Sequence, residues 1–248
     1  MILNEPPRTQ YDLNFRLLGI PVRVHPLFWL VAVLLGMSGN QQALPLILWI
    51  VAVFVSILVH EMGHALSARA CGWQPWITLH GFGGLASYRP TRRDPASQIL
   101  ITLAGPAAGF AFAALVVGAI VASGHRVQFA WPESILPIRF EFYDKESLNR
   151  LIIDLLYVNI FWGLMNLLPI YPLDGGQIAM EVFQMLNPRD GVRQALWLSI
   201  VVATVAGVLA YVRLQELFLA VFCGYMAYTN YMTLQANFGP GGGLGGWR

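Results

Sequence analysis

The sequence predicts an all-α polytopic membrane protein with about six transmembrane helices and a small re-entrant β-hairpin. Hydrophobic residues make up 56% of the 248 residues and charged residues only 11%, well below the roughly 25% charged of soluble domains. Several apolar runs also approach the about 20 residues that one helix needs to cross a bilayer. The six predicted spans are residues 22–37, 44–59, 99–123, 151–170, 195–212 and 217–234.

The distribution of Lys and Arg predicts the orientation of these spans. With six spans, ten of the fifteen Lys and Arg residues fall on the side of the N-terminus, and cytoplasmic loops hold such an excess. We therefore expect both termini in the cytoplasm, and so short a chain suggests a prokaryotic cytoplasmic membrane. The net charge of +2 comes from arginines scattered through the loops, which is no footprint for nucleic acid.

The segments between the spans predict a single membrane-embedded domain over residues 1–238. Residues 77–88 indicate two short strands around a glycine turn, the predicted hairpin. Alternation of apolar and charged residues from Ile138 to Phe142 predicts a further strand on the outer side. Residues 239–248 form a glycine-rich tail that we expect to be disordered. No soluble accessory domain is predicted.

A His-Glu-x-x-His motif ends the second apolar run, as His60-Glu61-Met62-Gly63-His64. On a helix, residues four apart share one face, so both imidazoles can bind a single zinc ion. Glu61 then becomes the general base that takes a proton from the zinc-bound water. Chance occurrence is the alternative, but two histidines and a glutamate are costly in a membrane unless they face a cavity, a metal or one another.

A catalytic zinc needs a third protein ligand and one open position, and Asp174 is the best candidate for that ligand. Residues 166–176 contain two prolines and two glycines that break a helix at membrane depth. Irregular backbone is tolerated there only when it is buried in protein or lines a wet cavity. The alternative is an ordinary loop in which Asp174 caps a helix over residues 176–186.

These two segments resemble the site-2 protease family of intramembrane metalloproteases. His60-Glu61-x-x-His64 matches the first motif of that family, and Asn166-x-x-Pro169-x-x-x-Leu173-Asp174-Gly175 matches the second. The resemblance implies one zinc ion held by His60, His64 and Asp174, with Glu61 as the catalytic base. It also places Asn166 near the scissile carbonyl, where an amide N–H could stabilise the oxyanion. An interhelical hydrogen bond is the alternative role for Asn166, and we expect Asn159 to be structural.

The resemblance extends over roughly residues 17–234, including Leu103-Ala-Gly105-Pro106 at the third span. One departure is that Ala108 and Gly109 stand where the family often has Asn, although Gly105 and Gly109 form a small-xxx-small pair suited to helix packing. The hairpin resembles a re-entrant sheet whose free edge could hold an extended substrate by strand addition.

The sequence therefore predicts a zinc metalloprotease that cuts membrane-anchored protein substrates at or within the lipid bilayer. A membrane regulator or a homo-oligomer is compatible with this prediction. A metal-ion transporter is one rival, because acids and imidazoles inside membranes commonly mark ion pathways, and an inactive protease-like scaffold is another. We expect the remaining polar residues near the spans to stay outside the zinc site: His25, His80, His125, Asp154 and Glu181.

Overall fold

Helices dominate the structure, a computed structural model that describes residues 5–37, 43–81, 83–90, 94–129 and 138–239. Two helices continue through a π-helical turn, one at Val158–Trp162 and the other at Ala210–Leu214. The α-helices are α1 (Pro26–Gly36), α2 (Ala43–Ala70), α3 (Pro95–Ala122), α4 (Glu146–Tyr157), α5 (Gly163–Asn166), α6 (Asp174–Leu186), α7 (Gly191–Leu209) and α8 (Leu217–Phe238).

The described residues contain five helical segments that are long and apolar enough to cross a membrane, which fits an integral membrane protein and confirms the predicted fold class. They are Ala43–Ala70, Pro95–Ala122, Glu146–Asn166, Gly191–Leu214 and Leu217–Phe238. The first of the six predicted spans is corrected. Its sequence forms a strand that ends at Val24 and the 11-residue helix α1, which at 1.5 Å per residue is only about 16 Å long.

Contacts between Cα atoms divide the chain into two compact units. The first comprises Met1–Arg92 and Leu103–Leu164, and the second comprises Arg93–Thr102 and Met165–Arg248. The single domain over residues 1–238 stays a prediction. Apart from Gly239, the predicted disordered tail lies outside the described residues.

A four-stranded sheet belongs to the first unit and contains the predicted hairpin. Its strands are β1 (Leu13–Leu17), β2 (Ile20–Val24), β3 (Gln74–His80) and β4 (Gly83–Arg89), in the spatial order β1-β2-β3-β4. The β1–β2 and β3–β4 pairs are antiparallel, whereas β2 and β3 are parallel. The structure confirms both hairpin strands and adds β1 and β2, which the sequence did not predict.

One face of this sheet packs into the core of the first unit. Side chains alternate between the two faces of a strand, so Ile20, Val22 and Val24 of β2 point the same way as Ile77 and Leu79 of β3. All five are buried. They share a hydrophobic cluster with apolar side chains of α1 and α2, among them Phe28, Val53, Ile57 and Met62. This packing fixes the sheet against the helix that carries the His-Glu-x-x-His motif.

A second, smaller sheet confirms the strand predicted after residue 137. Strands β5 (Val127–Phe129) and β6 (Ile138–Phe140) pair in antiparallel register, with Gln128 opposite Arg139. Apolar side chains of this pair pack against Ile152 and Leu156 of α4. The strand pair is therefore joined to the first unit by its own small hydrophobic cluster.

Helices α6, α7 and α8 form the second unit. Met180, Ala195, Leu196 and Leu234 form one buried cluster of this unit, to which all three helices contribute. The segment 167–173, between α5 and α6, lies in the same unit and has no regular secondary structure. This unit therefore supplies a packed helical support for the broken segment that precedes Asp174.

Candidate functional site

Helix α2 places His60, Glu61 and His64 in the interior of the first unit. Their exposed fractions are only 4%, 5% and 7%. The Nε2 atoms of His60 and His64 lie 3.2 Å apart, and their rings meet edge to face with centroids 4.9 Å apart. Two nitrogen ligands at 2.0–2.1 Å from a tetrahedral zinc are separated by about 3.3 Å. The imidazole pair therefore fits the zinc ion that the motif predicts.

Helix α3 packs at a glycine against the face of α2 that carries His64. A methyl group added to Gly105 would overlap the His64 ring, its closest contact being Nε2. One turn later, a methyl group on Gly109 would meet the Asn159 Oδ1 atom at 3.6 Å, an ordinary contact distance. Gly105 therefore leaves room for the His64 imidazole, which is a more specific role than the helix packing predicted for it.

Strand β4 approaches Glu61 in a similar way. A Cβ atom on Gly84 would overlap the Cγ, Cδ and Oε1 atoms of the Glu61 side chain. Gly84 pairs with Leu79 of β3, so the hairpin register sets which residue faces the glutamate. The sequence indicated a glycine turn here, but gave no sign that one of its glycines lies against the catalytic motif.

Replacement of Gly84 by Ala is expected to reduce turnover at least about tenfold while zinc is retained, because 1 Å misplacements in active sites commonly cost that much or more. The added methyl group displaces Glu61 and leaves both histidines in place. Gly81→Ala is the matched control in the same hairpin, since its methyl group would meet Val31 Cγ2 at 3.3 Å and two Leu27 atoms at 3.5 and 3.6 Å, all in α1 and none in the motif. Equal turnover of wild type and Gly84→Ala would contradict this assignment.

Asp174 is the first residue of α6 in the second unit and is buried. The N-cap residue is Leu173, and it makes no side-chain cap bond. The alternative in which Asp174 caps a helix over residues 176–186 is therefore wrong, because the helix already begins at Asp174. A carboxylate in the first helical turn is stabilised by the backbone N–H groups and the helix dipole.

The segment before Asp174 is held by side chains of α7 and α8. Ser199 Oγ accepts a hydrogen bond from the Tyr171 backbone N–H at 2.9 Å, and the Asn230 side-chain amide donates to the Tyr171 carbonyl. The carbonyl of Pro172 accepts from the Gln177 amide at 3.0 Å. These bonds satisfy backbone groups that irregular structure would otherwise leave unpaired in a membrane.

The two glycines after Asp174 let this segment fold back onto α6. Methyl groups on Gly175 and Gly176 would overlap backbone atoms of residues 167–171. The Asp-Gly-Gly sequence therefore sets the position of the Asp174 backbone at the start of α6.

The structure places the two predicted asparagines in different surroundings. Asn166 ends α5 and is 9% exposed. In the first unit, the Asn159 amide donates to Ser56 Oγ and to the Leu155 carbonyl, both at 2.8 Å. Because Ser56 lies on α2, this bond joins two helices, which is the structural role expected of Asn159.

The other polar residues have local partners that account for them. His25 caps α1, its Nδ1 atom accepting from the Leu27 N–H at 3.2 Å. The ring of His125 lies 3.8 Å from that of Tyr143. Arg150 donates to Asp154 at 3.1 Å, one turn along α4.

His80 is buried at the end of β3. Burial lowers the pKa of its imidazole, and the charges of His25 and Arg23 act in the same direction. Burial therefore favours the neutral imidazole of His80, whose two ring nitrogens act as one donor and one acceptor.

Comparisons with known proteins agree with the predicted family. Residues 48–208, well over half of the chain, match the sequence model described as Peptidase family M50. The chain is 28% identical to the zinc metalloprotease MJ0392 of Methanocaldococcus jannaschii over 68% of this chain and 44% of that protein. It is 30% identical to stage IV sporulation protein FB of Bacillus subtilis over 68% of this chain and 50% of that protein. The chain spans about half the length of the curated relatives it matches.

A solved structure has the same fold. The site-2 protease from Methanocaldococcus jannaschii superimposes with a TM-score of 0.59 at 21% identity, over 90% of this chain and 95% of that one. The structural likeness shows that the fold is shared. It agrees with the family resemblance carried by the two sequence motifs.

Proposed function

Because the chain belongs to peptidase family M50, we propose that it is an intramembrane zinc metalloprotease that hydrolyses peptide bonds of membrane-anchored protein substrates. The observation that carries the proposal is the buried imidazole pair of α2, with Nε2 atoms 3.2 Å apart and Glu61 beside them. Burial of two histidines and a glutamate in an otherwise apolar membrane helix is costly and marks a functional site. The zinc metalloprotease MJ0392 is among the relatives that match the chain.

One zinc ion per chain is proposed, with His60, His64 and Asp174 as its ligands. His60 and His64 are buried in the first unit, and Asp174 is buried in the second. Two imidazoles and one carboxylate are a donor set found in catalytic zinc sites, which use three protein ligands and keep one position open. When bound, zinc lowers the pKa of water to about 7 and polarises a carbonyl group.

Glu61 is proposed as the proton carrier of the reaction. Its carboxylate accepts a proton from the water whose oxygen attacks the peptide carbonyl carbon. The same proton then passes to the amide nitrogen as the C–N bond breaks, which yields a carboxylic acid and an amine. His60 precedes Glu61 on α2, and Gly84 of β4 lies against the Glu61 side chain. This role is supported because these neighbours confine the glutamate side chain.

Asn166 is proposed to stabilise the oxyanion that develops on the substrate carbonyl. A side-chain amide N–H is a suitable donor for that charge, and loss of one such donor typically costs about 10²–10³-fold in turnover. The burial of Asn166 supports the proposal, since such donors are most effective where water is excluded.

The edge of β4 is proposed to hold the substrate as an extended strand. In the sheet order β1-β2-β3-β4, β4 is an outer strand. A substrate segment paired with that edge would expose a peptide bond that a transmembrane helix keeps hydrogen-bonded. The proximity of Gly84 to Glu61 supports the proposal, because it brings this strand next to the catalytic base.

A charge introduced on β4 tests this arrangement. Leu85→Glu is expected to lower cleavage of a membrane substrate at least about tenfold. A carboxylate at this position disfavours pairing with an apolar substrate strand and is costly to bury beneath it. Zinc content should not change. Ser87→Thr, two positions along the same strand, serves as a mild control. Unchanged cleavage by Leu85→Glu would argue against binding at this edge.

Zinc retention tests the role of Asp174. Asp174→Ala is expected to weaken zinc binding by at least about 100-fold. Loss of a group that only orients a ligand costs up to about 100-fold in metal affinity, and loss of a ligand itself should cost at least as much. Zinc would be measured in the purified protein against a competing chelator. Asp190→Ala is the control, because this exposed residue precedes α7 without making a side-chain cap bond. Zinc binding that survives in Asp174→Ala would require a different third ligand.

The proposed activity is tested by comparing membrane-protein fragments from cells that carry the wild-type chain or Glu61→Gln. Fragments cut within or beside a transmembrane segment should accumulate only with wild type, and they identify the substrates. Identical fragment profiles would favour the inactive scaffold. Zinc flux into sealed vesicles without cleavage would instead establish a metal transporter. We further propose that this membrane is a prokaryotic cytoplasmic membrane. Two termini on the same side require an even number of spans, and the described residues contain five candidate spans. The cytoplasmic placement of both termini therefore stays a prediction of the six-span count.

A further inference from the structure

The polar face of the four-stranded sheet carries arginines at the positions that alternate with the core residues. Strand register places Arg23 opposite Asn14 on one side and Thr78 on the other. Arg16 of β1 is paired with Pro21, and Arg89 of β4 is paired with Gln74. Pro21 is two positions from Arg23 and Gln74 is four positions from Thr78, so both arginines lie on this same face. The apolar core face and this basic face are therefore the two sides of one sheet.

A cavity of about 1010 Å³ opens on the basic face, within the first unit. Its lining includes one acidic residue, Glu5, and arginines from the N-terminal arm, the sheet and the last turn of α2. These arginines are Arg8, Arg16, Arg23, Arg69 and Arg89. A cavity lined by several charges of one sign raises the local concentration of oppositely charged ligands.

Part of this face already binds a carboxylate of the chain itself. Glu5 accepts from Arg23 at 3.0 Å, from Thr78 Oγ1 at 2.7 Å and from Trp76 Nε1 at 3.4 Å. Although burial alone would raise the pKa of Glu5, these bonds and the Arg23 charge outweigh it and lower the pKa below its usual value. The donors of this face are therefore arranged to stabilise an oxyanion.

The remaining arginines of the cavity keep their charge available. Arg23 is the exception, because it pairs with Asp12 at 3.1 Å as well as with Glu5, and the two carboxylates neutralise its charge. Arg69 donates to the Leu18 carbonyl, and Arg89 lies over the Trp76 ring at 5.9 Å. Among the described residues, Arg8, Arg16, Arg69 and Arg89 form no ion pair with an acidic side chain.

The cavity lies next to apolar surface that a membrane would cover. Arg69 is in the last turn of α2, one of the five candidate membrane spans. Leu18, in the turn that follows β1, is 65% exposed, and its carbonyl accepts a hydrogen bond from Arg69. An arginine beside an exposed leucine at the end of a membrane span is typical of surfaces that rest on anionic lipid.

We propose that this cavity binds the phosphate-bearing headgroup of an anionic glycerophospholipid. Guanidinium groups hold phosphate oxygens by paired hydrogen bonds, and the four unneutralised arginines supply such groups. The volume exceeds what inorganic phosphate needs and leaves space for the glycerol part, while the acyl chains can lie against the exposed Leu18 and the adjoining end of α2. Phosphate is the recognised chemistry, and its lipid source follows from the adjoining apolar surface.

The test is lipid binding by the purified full chain in detergent, measured by native mass spectrometry. Phosphatidylglycerol, phosphatidylcholine with the same acyl chains, and inorganic phosphate are titrated separately. The double variant Arg16→Gln/Arg89→Gln is compared with Arg189→Gln/Arg193→Gln, which removes two exposed arginines outside the cavity. At roughly fivefold per arginine near anionic lipid, the first pair should weaken phosphatidylglycerol binding on the order of twentyfold.

Three outcomes would overturn the proposal. The first is equal affinity for the two lipids, and the second is an equal effect of the two double variants. The third is displacement of phosphatidylglycerol by millimolar inorganic phosphate, which would indicate a site for free phosphate. Thermal unfolding without lipid, unchanged in the cavity variant, verifies that its loss of binding does not come from misfolding. None of these measurements depends on peptide-bond cleavage, so the proposal stands or falls separately from the proposed protease activity.

Discussion

Glu61→Gln is expected to lower peptide-bond hydrolysis by about 10³-fold, within the 10²–10⁴-fold that general acid–base catalysis contributes. Glutamine has nearly the same shape as glutamate but cannot accept the proton of the attacking water. The proposed zinc ligands His60 and His64 are unchanged, and the neutral amide still fits beside Gly84. We therefore expect full zinc content together with almost complete loss of turnover.

The measurement combines single-turnover cleavage of a membrane substrate in proteoliposomes with zinc analysis of the same preparation. Glu146→Gln is the matched control, because Glu146 is exposed in the first turn of α4. If Glu61→Gln lost zinc together with activity, Glu61 would be a ligand or a support of the ligands. Normal turnover by Glu61→Gln would remove the proposed mechanism altogether.

Gly105→Ala is expected to disrupt the zinc site through His64. The added methyl group overlaps the imidazole, so either the ring turns away or α3 moves away from α2. Overpacking of this kind typically costs about 1–3 kcal/mol of stability. Loss of ligand orientation typically costs a further 10–100-fold in metal affinity. Zinc affinity and turnover should therefore fall together, in contrast to Gly84→Ala.

Gly109→Ala separates this effect from general helix packing. It adds the same methyl group one turn further along α3, where the nearest atom is at an ordinary contact distance of 3.6 Å. Zinc affinity would be determined by chelator competition and stability by thermal unfolding for both variants. Equal losses for Gly105→Ala and Gly109→Ala would show that close helix packing, rather than the His64 ring, explains the requirement for glycine.

The sequence predicts those parts of the site that are local. Helical spacing alone places His60 and His64 on one face of α2, and the structure has their Nε2 atoms 3.2 Å apart. The roles of Gly84 and Gly105 could not be predicted in this way. Each depends on a contact between distant segments, which follows from strand register and from how α3 packs on α2. The motif predicts which side chains are catalytic, whereas their position depends on long-range packing.

The first predicted span shows a different limit. Apolar runs fit a buried strand as well as a helix when they are short, and residues 22–37 contain one of each, separated at His25. The parallel neighbour of β2 comes from β3, far along the chain. Local pattern therefore predicts hydrophobicity at this position but not the pairing that makes the segment a strand.

The basic cavity could not be predicted from the sequence either, because it also depends on the pairing of distant strands. Its arginines lie between positions 8 and 89 and look scattered when the chain is read in order. Two-residue alternation along β1, β2 and β4 brings Arg16, Arg23 and Arg89 to one face of the sheet. Charge counting along loops predicts orientation in the membrane, but only sheet register shows which arginines converge.

The parallel pairing of β2 with β3 also sets an order for biogenesis. Val22 pairs with Ile77, 55 positions later, and both α1 and α2 lie between them. Parallel neighbours need such a crossover, and distant pairings form slowly because the intervening loop must close first. During synthesis, β2 therefore has no parallel partner until β3 has been made. Until then, its unpaired edge is open to incorrect strand pairing.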